Sequence, residues 1–305
     1  MLRGLDLFGA IPLGLAPALR VHRISTNKEG HKMTTTTDRS ELLAQLSEGI
    51  AKLTTSEEWQ RHLDCQSRFY RYSPNNVMLI AMQRHEATHI AGFNAWRKHG
   101  RFVRKGEKAI WILAPMVYKA NDDEKSEDDK RVIRGFKMVP VFDIASTDGE
   151  ELPSVCHTLT GDDPAGLFER LAEVAHSIGF TIEHAELPGS VNGDCSHELH
   201  RIRVEITNSP AQRVKTLAHE IGHALLHEKY DNRPLAEMEA ESIAYVVLSA
   251  LGIDSSDYSF GYVATWAGGG EQAIAGIKGS CERIQKSAAT ILRAFEPATE
   301  EEQAA

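Results

Sequence analysis

Residues 219–223 read His-Glu-Ile-Gly-His, a combination of residue types and spacing that can build a metal-dependent hydrolase. On a helix, positions i and i+4 lie on one face about a turn apart, so His219 and His223 can direct two imidazole nitrogens at one metal ion. Glu220 comes close to the open position of such a metal, where it can take a proton from the attacking water. We therefore predict a Zn²⁺ site with Glu220 as its catalytic base.

A catalytic zinc site also needs a third protein ligand, and the segment that follows offers three glutamates. Glu237 and Glu241 are four residues apart and share a helix face, whereas Glu239 points elsewhere. One carboxylate on the metal and a second hydrogen-bonded to a ligand histidine would explain that pair. We predict Glu237 as the third ligand and Glu241 as the partner of a ligand histidine. The reverse assignment, or Glu239 as the ligand, stays open.

Two helices must position these side chains, and the sequence contains start signals for both. Residues 209–212 supply a serine N-cap, a proline at the first helical position and a glutamine that closes a capping box. Apolar residues then recur at helical spacing to about Glu228, which places the motif in the middle of a helix with a face to bury. A turn at 231–234 ends in a proline and begins a second helix, which stops near Gly252.

The stretch 215–227, Lys-Thr-Leu-Ala-His-Glu-Ile-Gly-His-Ala-Leu-Leu-His, together with 237–244, Glu-Met-Glu-Ala-Glu-Ser-Ile-Ala, resembles the ImmA/IrrE group of zinc metallopeptidases. It is also similar to the C-terminal domain of ArdC-type antirestriction proteins. The resemblance implies that two histidines and a glutamate on the next helix hold zinc, with the glutamate of HExxH as the base. Many relatives read Glu-Ala-Asn where this chain has Glu239-Ala240-Glu241.

A second resemblance lies in the N-terminal half. The motifs are Tyr-Ser-Pro-Asn-Asn at 72–76, Gly-Phe-Asn-Ala-Trp at 92–96, Gly-Arg-Phe-Val-Arg-Lys-Gly-Glu-Lys at 100–108 and Val-Phe-Asp-Ile at 141–144. In this order they resemble the ArdC-type N-terminal domain, which binds single-stranded DNA. Residues 145–149 depart from the pattern, since relatives usually have a glutamine before the threonine.

The charge distribution favours the same interpretation. The chain has a net charge of −9, yet residues 59–119 contain 11 Lys and Arg against three acidic residues, a net charge of +8. Aromatic residues are interleaved with these cations, although half or more of them are expected in the core. Cations for the phosphate backbone and aromatic faces for the bases are how proteins hold unpaired strands. The predicted DNA contacts are Tyr72, Asn75, Asn76, Trp96, Arg97, Lys98, Arg101, Arg104, Lys105 and Lys108.

These observations predict an α+β fold: a mixed α/β module for single-stranded DNA, followed by a zincin-like metallopeptidase domain with an HExxH helix. We expect helices over 74–90, 93–99, 164–179 and 273–294, and strands over 110–118, 132–142, 181–185 and 201–206. The segment 100–113 should form two strands around a Lys-Gly turn. The predicted domains are a disordered extension at 1–38, the DNA-binding domain at 39–150, a linker at 151–163, the metallopeptidase domain at 164–298 and a disordered tail at 299–305.

The four scattered cysteines form no CxxC pair, which favours a reduced cytoplasm. Residues 2–19 are too short and too broken by Pro and Gly to span a bilayer, so no membrane partner is expected. Residues 1–32 are interpreted as an upstream extension that arises from the choice of start site.

The predicted function is that of a zinc metallopeptidase with an attached single-stranded-DNA-binding domain, in an antirestriction-like, mobile-element or stress-regulatory role. Its predicted partners are single-stranded DNA and a protein or peptide substrate. Two alternatives stay open. The chain could be a DNA-binding protein with a structural or inactive zinc site, or an ImmA-like regulatory peptidase whose basic module binds a protein.

Overall fold

The computed structural model of the chain describes residues 56–119, 131–151, 166–229, 232–253 and 271–296, and the single positions 44, 50 and 53. Its helices are α1 (Ser56–Arg68), α2 (Pro74–Arg84), α3 (Phe93–Lys98), α4 (Leu167–Ser177), α5 (Pro210–Leu226), α6 (Arg233–Ala250) and α7 (Glu271–Arg293). Its strands are β1 (Ile90–Ala91), β2 (Arg101–Val103), β3 (Ile110–Lys119), β4 (Arg131–Asp143), β5 (Thr147–Gly149), β6 (Thr181–Ala185), β7 (Gly193–Ser196) and β8 (Arg201–Glu205). The predicted α+β class is confirmed. The predicted extension at 1–38, the linker from 152 onward and the tail at 299–305 lie outside the described residues.

The N-terminal half is built on an antiparallel sheet with strand order β1-β4-β3. Helix α2 packs along β3 and satisfies the backbone of that outer strand with two side-chain amides. Asn76 Nδ2 donates to Leu113 O at 2.9 Å while Asn76 Oδ1 accepts from Leu113 N at 2.8 Å. Gln83 makes the same pair of hydrogen bonds with Trp111. These amides cover an edge that would otherwise expose unpaired backbone groups.

The helix predicted over 74–90 is wrong beyond Arg84, because another interaction captures the backbone there. The Asp143 carboxylate accepts the backbone N–H groups of Thr88 and His89, and the following two residues pair with β4 as β1. The strands predicted around the turn at 105–106 are present. They do not pair with each other, since β2 pairs with β5 and β3 with β4.

The C-terminal half contains a three-stranded sheet with order β6-β8-β7, in which β6 and β8 are parallel and β7 is antiparallel to β8. The strands expected near 181–185 and 201–206 are therefore confirmed. Strand β7 was missed because Gly-Asp-Cys-Ser has no alternation of apolar and polar residues. Within the described sheet, β7 is an edge strand, and it lies against α5.

Helices α5 and α6 approach closely at Gly222. A Cβ built on this glycine would lie 3.1 Å from Ala240 Cα and 3.4 Å from its Cβ, which is tighter than ordinary side-chain contact. The absence of a side chain at 222 thus lets the helix that carries His219 and His223 come close to the helix that carries the three glutamates.

The two halves of the sequence share a buried core. Trp59 on α1 donates its indole N–H to Ser242 Oγ on α6 at 3.1 Å, and Gln285 on α7 donates to the carbonyl of Tyr70 at 2.8 Å. Helix α1, which falls in the predicted DNA-binding domain, thus packs into the core of the C-terminal half. The domain boundaries stay predictions. Of the helices that the structure describes, none is long and apolar enough to cross a membrane.

Candidate metal centre and nucleic-acid interface

The histidine pair and one glutamate converge as the motif predicts. His219 Nε2 and His223 Nε2 are 3.0 Å apart, and Glu237 Oε2 lies 3.5 Å from the first and 3.6 Å from the second. Among the described residues these three form the group whose potential ligand atoms all lie within 4.8 Å of one another. Helix α5 provides both imidazoles one turn apart, and the first turns of α6 provide the carboxylate.

The Nδ1 atoms of His219 and His223 contact residues outside the three-residue cluster. His219 Nδ1 lies 3.0 Å from Glu241 Oε2, and His223 Nδ1 lies 3.0 Å from His227 Nδ1. A partner on Nδ1 leaves Nε2 to face the centre of the cluster. Two imidazole nitrogens and a carboxylate oxygen are a donor set that suits a divalent cation such as Zn²⁺. The residues present therefore fit the metal that the motif implies.

Electrostatics link the three members of the cluster. Burial opposes protonation of His219, but its hydrogen bonds to Glu237 and Glu241 outweigh this cost and raise its pKa to about 9. The hydrogen bond with His219 is the largest cause that holds the pKa of Glu237 far below its ordinary value. Burial lowers the pKa of His223. In the metal-free protein, a proton on His219 thus compensates part of the negative charge that a cation would otherwise neutralise.

Glu220 lies beside this cluster and is only 6 % exposed. Burial raises its pKa from 4.5 to about 7, and the nearby carboxylates of Glu237 and Asp194 act in the same direction against the charge of His219. A carboxyl group with a pKa near neutrality is suited to accept and return a proton. The backbone of β7 packs against it, since a Cβ on Gly193 would lie 3.1 Å from Glu220 Oε1 and 2.4 Å from Thr216 Cγ2.

The cluster opens into a cleft of about 840 Å³ between α5, α6 and β7. The thiol of Cys195 lines it, but burial raises the pKa of this thiol to about 12, so it is protonated at neutral pH. The other lining residues are Val191, Asn192, Gly193, Asp194, Gln212, Lys215, Thr216, His219, Glu220, His223, Arg233, Glu237 and Glu241.

The third glutamate of the predicted set, Glu239, lies away from the cleft. It is 2 % exposed, and its oxygens accept from Ser280 Oγ at 2.6 Å and from Arg283 Nε at 3.1 Å. His227 Nε2 lies 3.3 Å from Glu239 Oε2. The structure thus places Glu237 at the histidine pair, Glu241 at His219 Nδ1, and Glu239 in a buried network outside the cleft that reaches His223 through His227.

The predicted DNA contacts divide into buried and exposed groups. Trp96 is fully buried, and its indole N–H donates to Phe142 O at 2.8 Å. Asn76 is buried against β3, and Tyr72 packs edge-on against Phe69 with ring centroids 5.8 Å apart. Asn75 is half-buried. The rings of Trp96 and Tyr72 contribute to the core of the module.

The basic residues also differ in their contacts. Arg101 donates to Thr147 Oγ1 at 2.8 Å, and Arg104 pairs with Glu107 at 2.8 Å and Asp148 at 3.2 Å, so both stabilise the β2–β5 region. The cations at 97, 98, 105 and 108 are exposed. Two aromatic rings that sequence reasoning left out of the contact list are also exposed: Phe93 by 49 % and Phe102 by 58 %. Successive side chains of a strand point to opposite faces, so Phe102 lies on the opposite face of β2 from Arg101 and Val103. This alternation was the available sequence signal for the exposure of Phe102.

Two family models match this chain. Residues 35–142 match the family model of the N-terminal domain of the anti-restriction factor ArdC. Residues 169–251 match the IrrE N-terminal-like domain of the M78 peptidase family. The two matches place an M78 peptidase-like domain after an ArdC-type N-terminal domain. The chain thus has an ArdC-like architecture, as the motifs predict.

Individual relatives are more distant. An uncharacterized protein of Bacillus anthracis is 25 % identical over an alignment 304 residues long, which covers 85 % of this chain and 51 % of the relative. The chain thus spans about half the length of that relative. Crystal structures of the antirestriction ArdC protein from plasmid R388 cover 73 % of this chain. The metal-free structure is 21 % identical with a TM-score of 0.47, and the Mn(II)-bound structure is 20 % identical with a TM-score of 0.46; 85 % and 88 % of those chains are covered.

Proposed function

We propose that this chain is a zinc-dependent peptidase joined to a module that binds single-stranded DNA, and that it acts in an antirestriction-like role. One observation supports the peptidase most directly. Three ligand-type atoms of His219, His223 and Glu237 lie within 4.8 Å of one another, beside the buried Glu220 and in the lining of a cleft of about 840 Å³. Zn²⁺ held by these residues would polarise a carbonyl group and make water more acidic.

The residues of the chain have separate tasks in this proposal. Glu220 takes a proton from the attacking water and returns it to the leaving amine, for which a pKa near 7 is suitable. Glu241 orients the imidazole of His219 through Nδ1. The outer edge of β7 borders the cleft, so an extended peptide can pair with it as an additional strand. The burial of Glu220 beneath β7 also limits access of bulk water to the reacting group.

The test of the peptidase compares the zinc-loaded protein with Glu220→Gln on denatured casein and a quenched fluorescent peptide library. The variant preserves size and leaves the three ligand residues unchanged, so it should bind zinc as the parent does. Loss of a general base typically costs about 10²–10⁴-fold in rate. Equal hydrolysis by both proteins would refute the role of Glu220. If neither protein cleaves any substrate but both retain antirestriction activity, the chain is the binding protein with an inactive zinc site.

A separate observation supports DNA binding. Exposed cations at 97, 98, 105 and 108 flank two exposed rings, Phe93 and Phe102, on neighbouring elements α3 and β2. Cations can contact phosphates and the rings can stack on bases, which is how unpaired strands are bound without sequence preference. Asn75 and the internally paired Arg101 and Arg104 are further contacts in this proposal.

Salt titration of binding to a single-stranded oligonucleotide tests the DNA module. Four phosphate contacts would give a slope of log K against log salt of about −3. A flat salt dependence, or no binding at low salt, would favour the alternative in which the basic module binds a protein partner. The double variant Lys105→Gln/Lys108→Gln should reduce the slope by about 1 to 2 without changing zinc binding.

A further inference from the structure

A buried chain of hydrogen-bonding groups runs from His223 away from the cleft. His223 Nδ1 lies 3.0 Å from His227 Nδ1, and His227 Nε2 lies 3.3 Å from Glu239 Oε2. Glu239 then contacts Ser280 Oγ at 2.6 Å and Arg283 Nε at 3.1 Å, both on α7. The two histidines and the glutamate are all buried. Three helices thus contribute to one network behind a single ligand of the metal centre.

Arg283, at the far end of this network, determines which atom donates and which accepts in each hydrogen bond. Arg283 has only donors, and its Nε lies 3.1 Å from both oxygens of Glu239, so Glu239 accepts at each oxygen. A carboxylate acceptor requires His227 Nε2 to carry a hydrogen. In a neutral imidazole the other nitrogen then accepts, so His227 Nδ1 accepts the hydrogen of His223 Nδ1. His223 Nε2 is left without a hydrogen and faces His219 and Glu237.

We propose that His227 and Glu239 are positioning residues that fix His223 in its Nδ1–H tautomer and so present its Nε2 lone pair to the cation. The inference rests on the proposed metal centre. The two ligands would be supported differently: His219 by one partly exposed carboxylate, Glu241, and His223 by a buried histidine and carboxylate anchored to α7. Residues that orient a ligand from outside typically contribute about 10–100-fold to metal affinity.

This arrangement explains two features that ligand geometry alone does not. His227 ends α5 one turn after His223, although a three-ligand site has no further need of a histidine. Glu239 is surrounded by donors in the protein interior, and burial of an acidic group is costly unless each oxygen is satisfied. Helix α7 therefore has a role in the metal centre without entering the cleft. Its residues Ser280 and Arg283 hold the carboxylate that orders the two imidazoles.

The test uses two matched substitutions, His227→Leu and His227→Asn. Both side chains have nearly the same shape and leave the same cavity, but Asn offers an oxygen where His227 Nδ1 accepted and Leu offers nothing. Zinc affinity is measured by competition with a chromophoric chelator on the full chain. We expect His227→Leu to bind Zn²⁺ about 10–100-fold more weakly than the parent and His227→Asn to remain within a few-fold. Equal affinities of the two variants would overturn the proposal.

A measurement on the unaltered, metal-free protein removes any dependence on how well the variants fold. Imidazole ¹⁵N spectra distinguish the two tautomers of His223, and the proposal requires the hydrogen on Nδ1. A hydrogen on Nε2 would overturn it. Ser242→Ala serves as a control, since it removes a buried hydrogen bond of α6 to Trp59 and should lower stability without changing zinc affinity. If the parent bound no Zn²⁺, the metal-centre proposal would fail, while the tautomer of His223 would still decide this one.

Discussion

Replacement of Glu220 by glutamine should make the metal-free protein more stable at alkaline pH. A carboxyl group whose pKa is raised in the folded state favours folding while it is protonated, and this contribution is lost as pH rises through the folded-state pKa. For Glu220 the pKa moves from 4.5 to about 7, with burial as the largest cause. The shift corresponds to about 3 kcal/mol of destabilisation above pH 7. Glutamine has the same shape and no charge, so it avoids this cost.

Chemical denaturation in the presence of a chelator measures the effect. The difference in unfolding free energy between Glu220→Gln and the parent should be below about 1 kcal/mol at pH 5 and approach about 3 kcal/mol at pH 8. In thermal melts the same difference corresponds to roughly 6–12 °C for a domain of this size. Glu173→Gln is the control: this glutamate is exposed on α4, and its replacement should leave stability unchanged at both pH values. A parent protein as stable as Glu220→Gln at pH 8 would refute the burial argument.

Further predictions concern the site and the DNA module. Peptide hydrolysis should lose activity as pH falls through the pKa of Glu220, and the midpoint should lie at or below pH 7 because a bound cation stabilises the carboxylate; a midpoint above pH 8 would contradict this assignment. Gly193→Ala should destabilise the chain by about 1–3 kcal/mol in denaturation, since its Cβ would clash with Thr216 2.4 Å away. Phe102→Ala should weaken oligonucleotide binding by about 1–3 kcal/mol in a fluorescence titration. Trp96→Phe should instead lower stability by about 1–3 kcal/mol and spare DNA binding, since it removes the indole hydrogen bond to a backbone carbonyl and leaves a void in the core; the opposite pattern would show that Trp96 contacts DNA.

The sequence was most informative where residues that can bind a metal ion recur at helical spacing. The spacing of His219 and His223 fixed their common helix face, and capping residues located the start of α5. Helical geometry placed Glu237 and Glu241 on one face but left open which of them meets the histidine pair. In the structure Glu237 lies at that pair and Glu241 contacts His219 Nδ1.

Other features depended on contacts between residues far apart in the sequence. The indole of Trp96 is a ring type that can stack on a DNA base, but it is completely buried and donates a hydrogen bond to Phe142 O, which places it in the core. Helix α2 stops early because Asp143, almost 60 residues later, captures the next backbone N–H groups. The role of Glu239 requires α7, whose Ser280 and Arg283 lie some 40 residues away. Local patterns contain no information on such partners.

Zinc stoichiometry and affinity of the purified full chain decide whether His219, His223 and Glu237 form a metal centre, with Glu237→Gln and Glu241→Gln as a matched pair. Each substitution removes one carboxylate charge, and the two positions lie four residues apart on the same helix. We predict one zinc per parent chain, a loss of about 10–100-fold in affinity for Glu241→Gln, and a larger loss for Glu237→Gln. A parent chain that binds no zinc, or a Glu237→Gln variant that binds zinc as tightly as the parent, would show that these residues do not form the metal centre.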